Sequence, residues 1–149
     1  MSRALTIFPP RSSAQPSAWL LAVAGTLPFL GGLADSALRG GEWLGIVRIY
    51  AALTVSFVCG IHWGAALFIP ERIATRLLVT SNASALLAWL AALLPHRPGY
   101  LPGGALFAAL LAVDRQMWRS GLSPAWCRHL RAAITGVAVS KCLRIGGTA

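Results

Sequence analysis

The sequence predicts an all-α fold, a polytopic membrane helical bundle with five transmembrane helices, and three observations carry that prediction. Between Arg48 and Glu71 lie twenty-two residues without a formal charge, IYAALTVSFVCGIHWGAALFIP, enough to match the ~20 residues an α-helix needs to cross the hydrocarbon core. Of the 149 residues, 56% are hydrophobic and 11% charged, with a mean hydropathy of +0.66, whereas soluble domains carry about 25% charged residues. The net charge is +9, yet the thirteen basic residues are scattered through short connecting segments. That scatter fits loops held on one side of a membrane and argues against a nucleic-acid partner.

Taken in order, residues 1–15 contain Arg3 and Arg11, several serines and no acid, a composition that overlaps with a mitochondrial transit peptide. Pro9, Pro10 and Pro16 spoil a long amphipathic helix, so a short disordered cytoplasmic tail is expected. Residues 12–34, SSAQPSAWLLAVAGTLPFLGGLA, are charge-free and predict a retained first span over 17–38, kinked near Pro28 because an interior proline breaks the hydrogen-bond ladder. The second span covers 44–69, with Arg48 near its start and able to snorkel to the interface. The third, 77–95, reads LLVTSNASALLAWLAALLP and stops at Pro95 and the break around His96, Arg97, Pro98 and Gly99. The fourth covers 100–118, with Asp114, Arg115 and Arg119 in the headgroup layer. The fifth, 126–145, contains the uncharged stretch 132–140, bounded by Arg128 and Arg131 before it and Lys141 and Arg144 after it. The stretch from His129 to Ile145 rises only ~24 Å as a helix, so it either spans with its terminal cations snorkelling or lies at the interface. Residues 16–145 then form a single transmembrane bundle, followed by a tail at 146–149.

Counting Lys and Arg sets the orientation. With five spans, the amino-terminal side carries Arg3, Arg11, Arg72, Arg76, Arg115, Arg119, Arg128 and Arg131, against Arg39, Arg48, Arg97, Lys141 and Arg144 on the other. This predicts an inward amino terminus and an outward carboxyl terminus.

His62 is the readily ionisable residue inside the second span, and such a group is costly enough there to need an explanation. Measured from Pro70 it lies ~12 Å deep, and Asn82, measured from Arg76, lies ~9 Å deep on the next antiparallel helix. A hydrogen bond from His62 to Asn82, with Ser81 or Ser84 nearby, is the expected structural tie. The functional alternative is a proton path through a polar cluster of His62, Asn82 and Asp114. Gly60 and Gly64 form a G-x-x-x-G pair that predicts tight helix packing within the chain. In the segment DRQMWRSGLSPAWCRHLR at 114–131, Gly121 suits a helix end and Pro124 the first turn of the next. Arg115, Trp118, Trp126, Arg128 and Arg131 are candidates for interfacial contact with lipid or a partner. Cys59, Cys127 and Cys142 have neither zinc nor disulfide spacing, and no metal or other cofactor is expected. The sequon at Asn82 lies inside a span and is discounted.

The run FVCGIHWG at 57–64, then Asp114 with Arg115, then GLSPAW at 121–126 with Leu130 and Arg131, resembles an uncharacterised bacterial membrane family, domain of unknown function 3429. Animal mitochondrial transmembrane protein sixty-nine looks like a relative. The resemblance covers roughly 16–144 and implies a small multi-span inner-membrane protein, with no activity or catalytic residues to carry over. The expected function is non-enzymatic: an accessory, scaffold or assembly component of a larger membrane complex, embedded in the lipid bilayer and paired with a protein partner or with copies of itself. A small transporter or proton-conducting protein is the alternative. The expected location is the bacterial inner membrane, with the mitochondrial inner membrane as the other possibility.

Overall fold

The computed structural model describes residues 15–94, 99–119, 123 and 125–147, and every regular element among them is an α-helix. Residues 1–14, 148 and 149 lie outside the described residues, as do His96, Arg97, Gly121 and Pro124.

The first apolar stretch forms two helices rather than one kinked helix. α1 (Gln15–Ala24) ends at Gly25 and Thr26, and α2 (Leu27–Leu38) restarts with Pro28 in its first turn. Pro28 has no N–H to give the carbonyl four residues back and its ring crowds that carbonyl, but the first turn of a helix needs no such donor. The break therefore precedes the proline. Gly25 O, left free of the ladder, accepts the Tyr50 hydroxyl at 2.8 Å, and Thr26 Oγ1 donates to Val23 O at 2.7 Å.

Gly40 and Gly41, at φ +80 and +91, turn the chain into α3 (Leu44–Ala66). Glycine enters that region without the Cβ penalty other residues meet. A short connection, 67–70, leads to α4 (Glu71–Leu93). Here the sequence reading is corrected at both ends: α3 stops three residues before 69, and α4 begins six residues before 77. Pro70 sets the start of α4, and Glu71, Arg72 and Arg76 ride on its first turns. α5 (Tyr100–Arg119) and α6 (Ala125–Gly147) complete the chain. α6 runs into the expected tail and, at 23 residues, is ~34 Å long.

α3 packs along α4 and α5 along α6; α5 also meets α3 and α4, while α1 and α2 lie against α6 and α2 against α3. The core joins Phe29 edge-on to Tyr50 and to Phe107, at centroid distances of 5.4 and 6.0 Å, with Val55, Leu110 and Ala138 beside them. Tyr100 donates its hydroxyl to Leu44 O at 2.5 Å, and the Arg48 guanidinium donates to Leu94 O at the end of α4. Arg48 thus ties two helix ends together.

Gly32 and Gly104, inside α2 and α5, allow close helix contact. A Cβ on Gly32 would lie 2.6 Å from Val47 Cγ2, and one on Gly104 would lie 3.0 Å from Cys142 Cβ. Gly60 and Gly64 do not pack within the chain: both are exposed, and an added Cβ would meet nothing within 4 Å. The expectation of tight internal packing there is overturned, because the buried stripe of α3 runs through Val55, Val58, Cys59, His62 and Ala66, which points the two glycines outward.

The outer surface is apolar, with Leu53, Phe57, Leu86 and Trp89 exposed. Small polar side chains on these helices bond back to their own turns: Thr54 to Tyr50 O, Ser56 to Ala52 O and Thr80 to Arg76 O. That is how hydroxyls are satisfied where no water is at hand. Among the described residues, three segments are long and apolar enough to cross a membrane: Gln15–Leu38, Leu44–Ala66 and Glu71–Leu93. They suggest a membrane-embedded protein.

Candidate functional site

Three helices converge on one buried ionic cluster. His62 comes from the penultimate turn of α3, Asp114 from the last turns of α5 and Arg131 from the second turn of α6. Counted from their helix ends, the three lie ~6, ~8 and ~9 Å deep, all at the end of the bundle that holds the 67–70 and 120–124 connections. His62 Nε2 is 2.7 Å from Asp114 Oδ1. On the other carboxylate oxygen, Asp114 Oδ2 accepts Arg131 Nε at 2.9 Å and lies 2.8 Å from Nη2.

An ionised carboxylate only accepts, so the 2.7 Å contact puts the imidazole proton on Nε2. His62 is 1% exposed, and its Nδ1 is buried without a hydrogen-bond partner among the described residues. Each carboxylate oxygen therefore has a donor while one imidazole nitrogen has none. The cluster can exchange a proton between imidazole and carboxylate, and it clamps α3, α5 and α6 through charge-assisted hydrogen bonds.

A family model described as a protein of unknown function, DUF3429, matches residues 14–145. The chain belongs to the DUF3429 family. The match takes in α1 through almost all of α6, and with them His62, Asp114 and Arg131. No curated protein and no solved structure matches this DUF3429 chain.

Two of the three residues expected in the polar cluster, His62 and Asp114, do meet. Asn82 does not join them. It is exposed, and its amide donates to Leu78 O of its own helix at 2.9 Å. The reason is the early start of α4: Asn82 stands eleven residues into the helix, ~17 Å from its end and about 10 Å deeper than His62. It is also off the buried stripe, which runs through Leu77, Ser81, Ser84, Ala88 and Ala91. Ser81 is buried but bonds to Leu78 O.

Arg131 is the residue the sequence reading misplaced, as an interfacial contact. Its side chain is only part-exposed and points to Asp114. A signal for it exists: Asp114 and Arg131 stand almost symmetrically about the 121–124 break, so an antiparallel hairpin brings them level. Arg115 and Arg128 are exposed, as an interfacial role requires, and Trp118 and Trp126 are half-buried. Cys59 lies one turn before His62 on the same buried stripe but makes no bond to the unpartnered Nδ1, so no thiol–imidazole pair is assembled. Among the described residues no group of three His, Cys, Asp or Glu could hold a metal ion.

Proposed function

We propose that this chain is a five-span protein of the bacterial inner membrane, amino terminus inward, that acts without catalysis by associating with another membrane protein as an accessory or assembly component. The observation that carries this reading is the outward Gly60 and Gly64 pair on α3, which the chain's own packing leaves unused. It sits on an exposed stripe with Leu53 and Phe57, at the spacing of one helix face. In a lipid environment, small residues let a second helix approach closely and gain dispersion contacts. The ion cluster supports the same reading by holding the end of α3 rigid against α5 and α6, so that the outer face is a fixed surface.

The test is purification of the full chain in mild detergent, followed by mass determination of the intact particle. A stoichiometric partner is expected with the wild-type chain and is lost in the Gly60→Leu/Gly64→Leu variant. Gly136→Leu, at an exposed position where an added Cβ also meets nothing within 4 Å, keeps the partner. A free wild-type monomer, or equal loss in both variants, contradicts the reading.

The contact between His62 and Asp114 supports a second reading, a proton-handling membrane protein. Reconstitution in vesicles with an enclosed pH-sensitive dye tests it: proton flux present with the wild-type chain and absent with His62→Ala supports this reading, and unchanged flux removes it.

A further inference from the structure

A second buried carboxylate sits at the opposite end of the bundle, outside the ion cluster. Asp35, in the last turn of α2, is 6% exposed. Its Oδ2 accepts the Trp43 N–H at 2.8 Å and so holds the first turn of α3, while Oδ1 is buried with no hydrogen-bond partner among the described residues. A buried carboxylate held by one neutral donor is costly unless a cation meets it. The nearest cation on its own helix line, Arg39, is exposed and makes no ion pair with it among the described residues.

Asp35 lines a groove of about 270 Å³, together with Gly31, Ala34, Leu38, Arg39 and Trp43. It is the one buried residue of that lining and therefore the groove's floor. Anion and cation stand one turn apart, with ~6 Å between residues 35 and 39 along the axis. An indole stands beside them, and an apolar wall runs back along α2. We propose that this groove binds the headgroup of a zwitterionic phospholipid bearing a primary ammonium. The ammonium donates to Asp35 Oδ1, the phosphate diester accepts from Arg39, Trp43 sits at headgroup level, and an acyl chain lies along Leu38, Ala34 and Gly31.

The chemistry selects among headgroups. A choline nitrogen has no N–H and cannot donate to a carboxylate oxygen at the groove floor. A headgroup with only negative charge meets repulsion from Asp35. Of these headgroups, the one that joins a primary ammonium to a phosphate diester meets both the Asp35 and the Arg39 charge. This site is separate from the outer face of α3, so its failure leaves the association reading standing.

The test uses the full chain in detergent, titrated with phosphatidylethanolamine, phosphatidylcholine or phosphatidylglycerol and read by native mass spectrometry. Phosphatidylethanolamine is expected to bind about tenfold more tightly than phosphatidylcholine, the equivalent of one charge-assisted hydrogen bond. Asp35→Asn keeps an acceptor oxygen for Trp43 N–H and should remove the preference with the thermal unfolding midpoint preserved. Arg39→Gln should weaken both zwitterionic lipids, and Glu42→Gln, at an exposed acid of the same turn, should change neither. Equal binding of the two zwitterionic lipids by the wild-type chain, a preference for phosphatidylglycerol, or a preference that survives Asp35→Asn overturns the proposal. If Asp35→Asn does not fold, unchanged binding by Arg39→Gln overturns it instead. Soluble glycerophosphoethanolamine competing as well as the intact lipid also overturns it, since the acyl wall would then contribute nothing.

Discussion

Asp114 divides its charge between Arg131 and His62, and that division decides what each substitution does. Arg131→Met leaves a buried carboxylate with only the imidazole as donor, and breaking a buried pair from one side costs about 3–5 kcal/mol. A lowered thermal unfolding midpoint in detergent is therefore expected, with Arg128→Met, at an exposed position, staying within about 0.5 kcal/mol of the wild-type chain. Adding Asp114→Asn to Arg131→Met removes the unpaired charge and should recover part of the loss. Equal midpoints for Arg131→Met and Arg128→Met would show that the cluster does not hold the helices. The same scale separates His62 from Asn82. His62→Ala should destabilise by about 2–4 kcal/mol, through a cavity and a lost charge-assisted bond. Asn82→Ala, whose amide bonds only to its own helix, should be near neutral.

Among the elements, Gly32 of α2 and Gly104 of α5 are points of close helix approach, and they oppose the two that the G-x-x-x-G pattern singles out. Gly32→Ala drives a methyl into the branched and stiff Val47 side chain, so α2 must move away from α3 at a cost of about 1–3 kcal/mol. Gly60→Ala meets only open space and gains up to about 1 kcal/mol of helix propensity. Opposite signs in detergent unfolding check this, and Val47→Ala should rescue Gly32→Ala. The contrast also shows what the sequence makes legible. The second span was readable almost to its ends, since a charge-free run of that length admits little else. The start of α4 was not, because hydropathy marks where lipid ends while Pro70 marks where the helix begins, and three charged residues lie between the two. That offset of six residues moved Asn82 by more than one and a half turns and broke its expected pairing with His62. His62 and Asp114 were recognisable as chemistry-bearing residues; Arg131 was not, because a cation beside a turn reads as a loop charge until the hairpin register is known.

For the molecule as a whole, the ion cluster and the Asp35 groove lie at opposite ends, so the five-span reading puts them at opposite membrane faces. With the amino terminus inward, a cysteine at Ile69 is reached only from inside and one at Glu42 only from outside by a membrane-impermeant maleimide, in a Cys127→Ser background. Labelling of both from the same side would contradict the spans. On the association reading, α3 offers its outer face to another protein rather than to lipid alone. A photo-crosslinking residue at Phe57, one turn from Gly60 on the exposed stripe, tests it most directly in native membranes against the same residue at Leu86, which is exposed on α4. A discrete protein adduct is expected from position 57, lost with Gly60→Leu/Gly64→Leu, and only lipid adducts from position 86. Lipid adducts alone from both positions would contradict it.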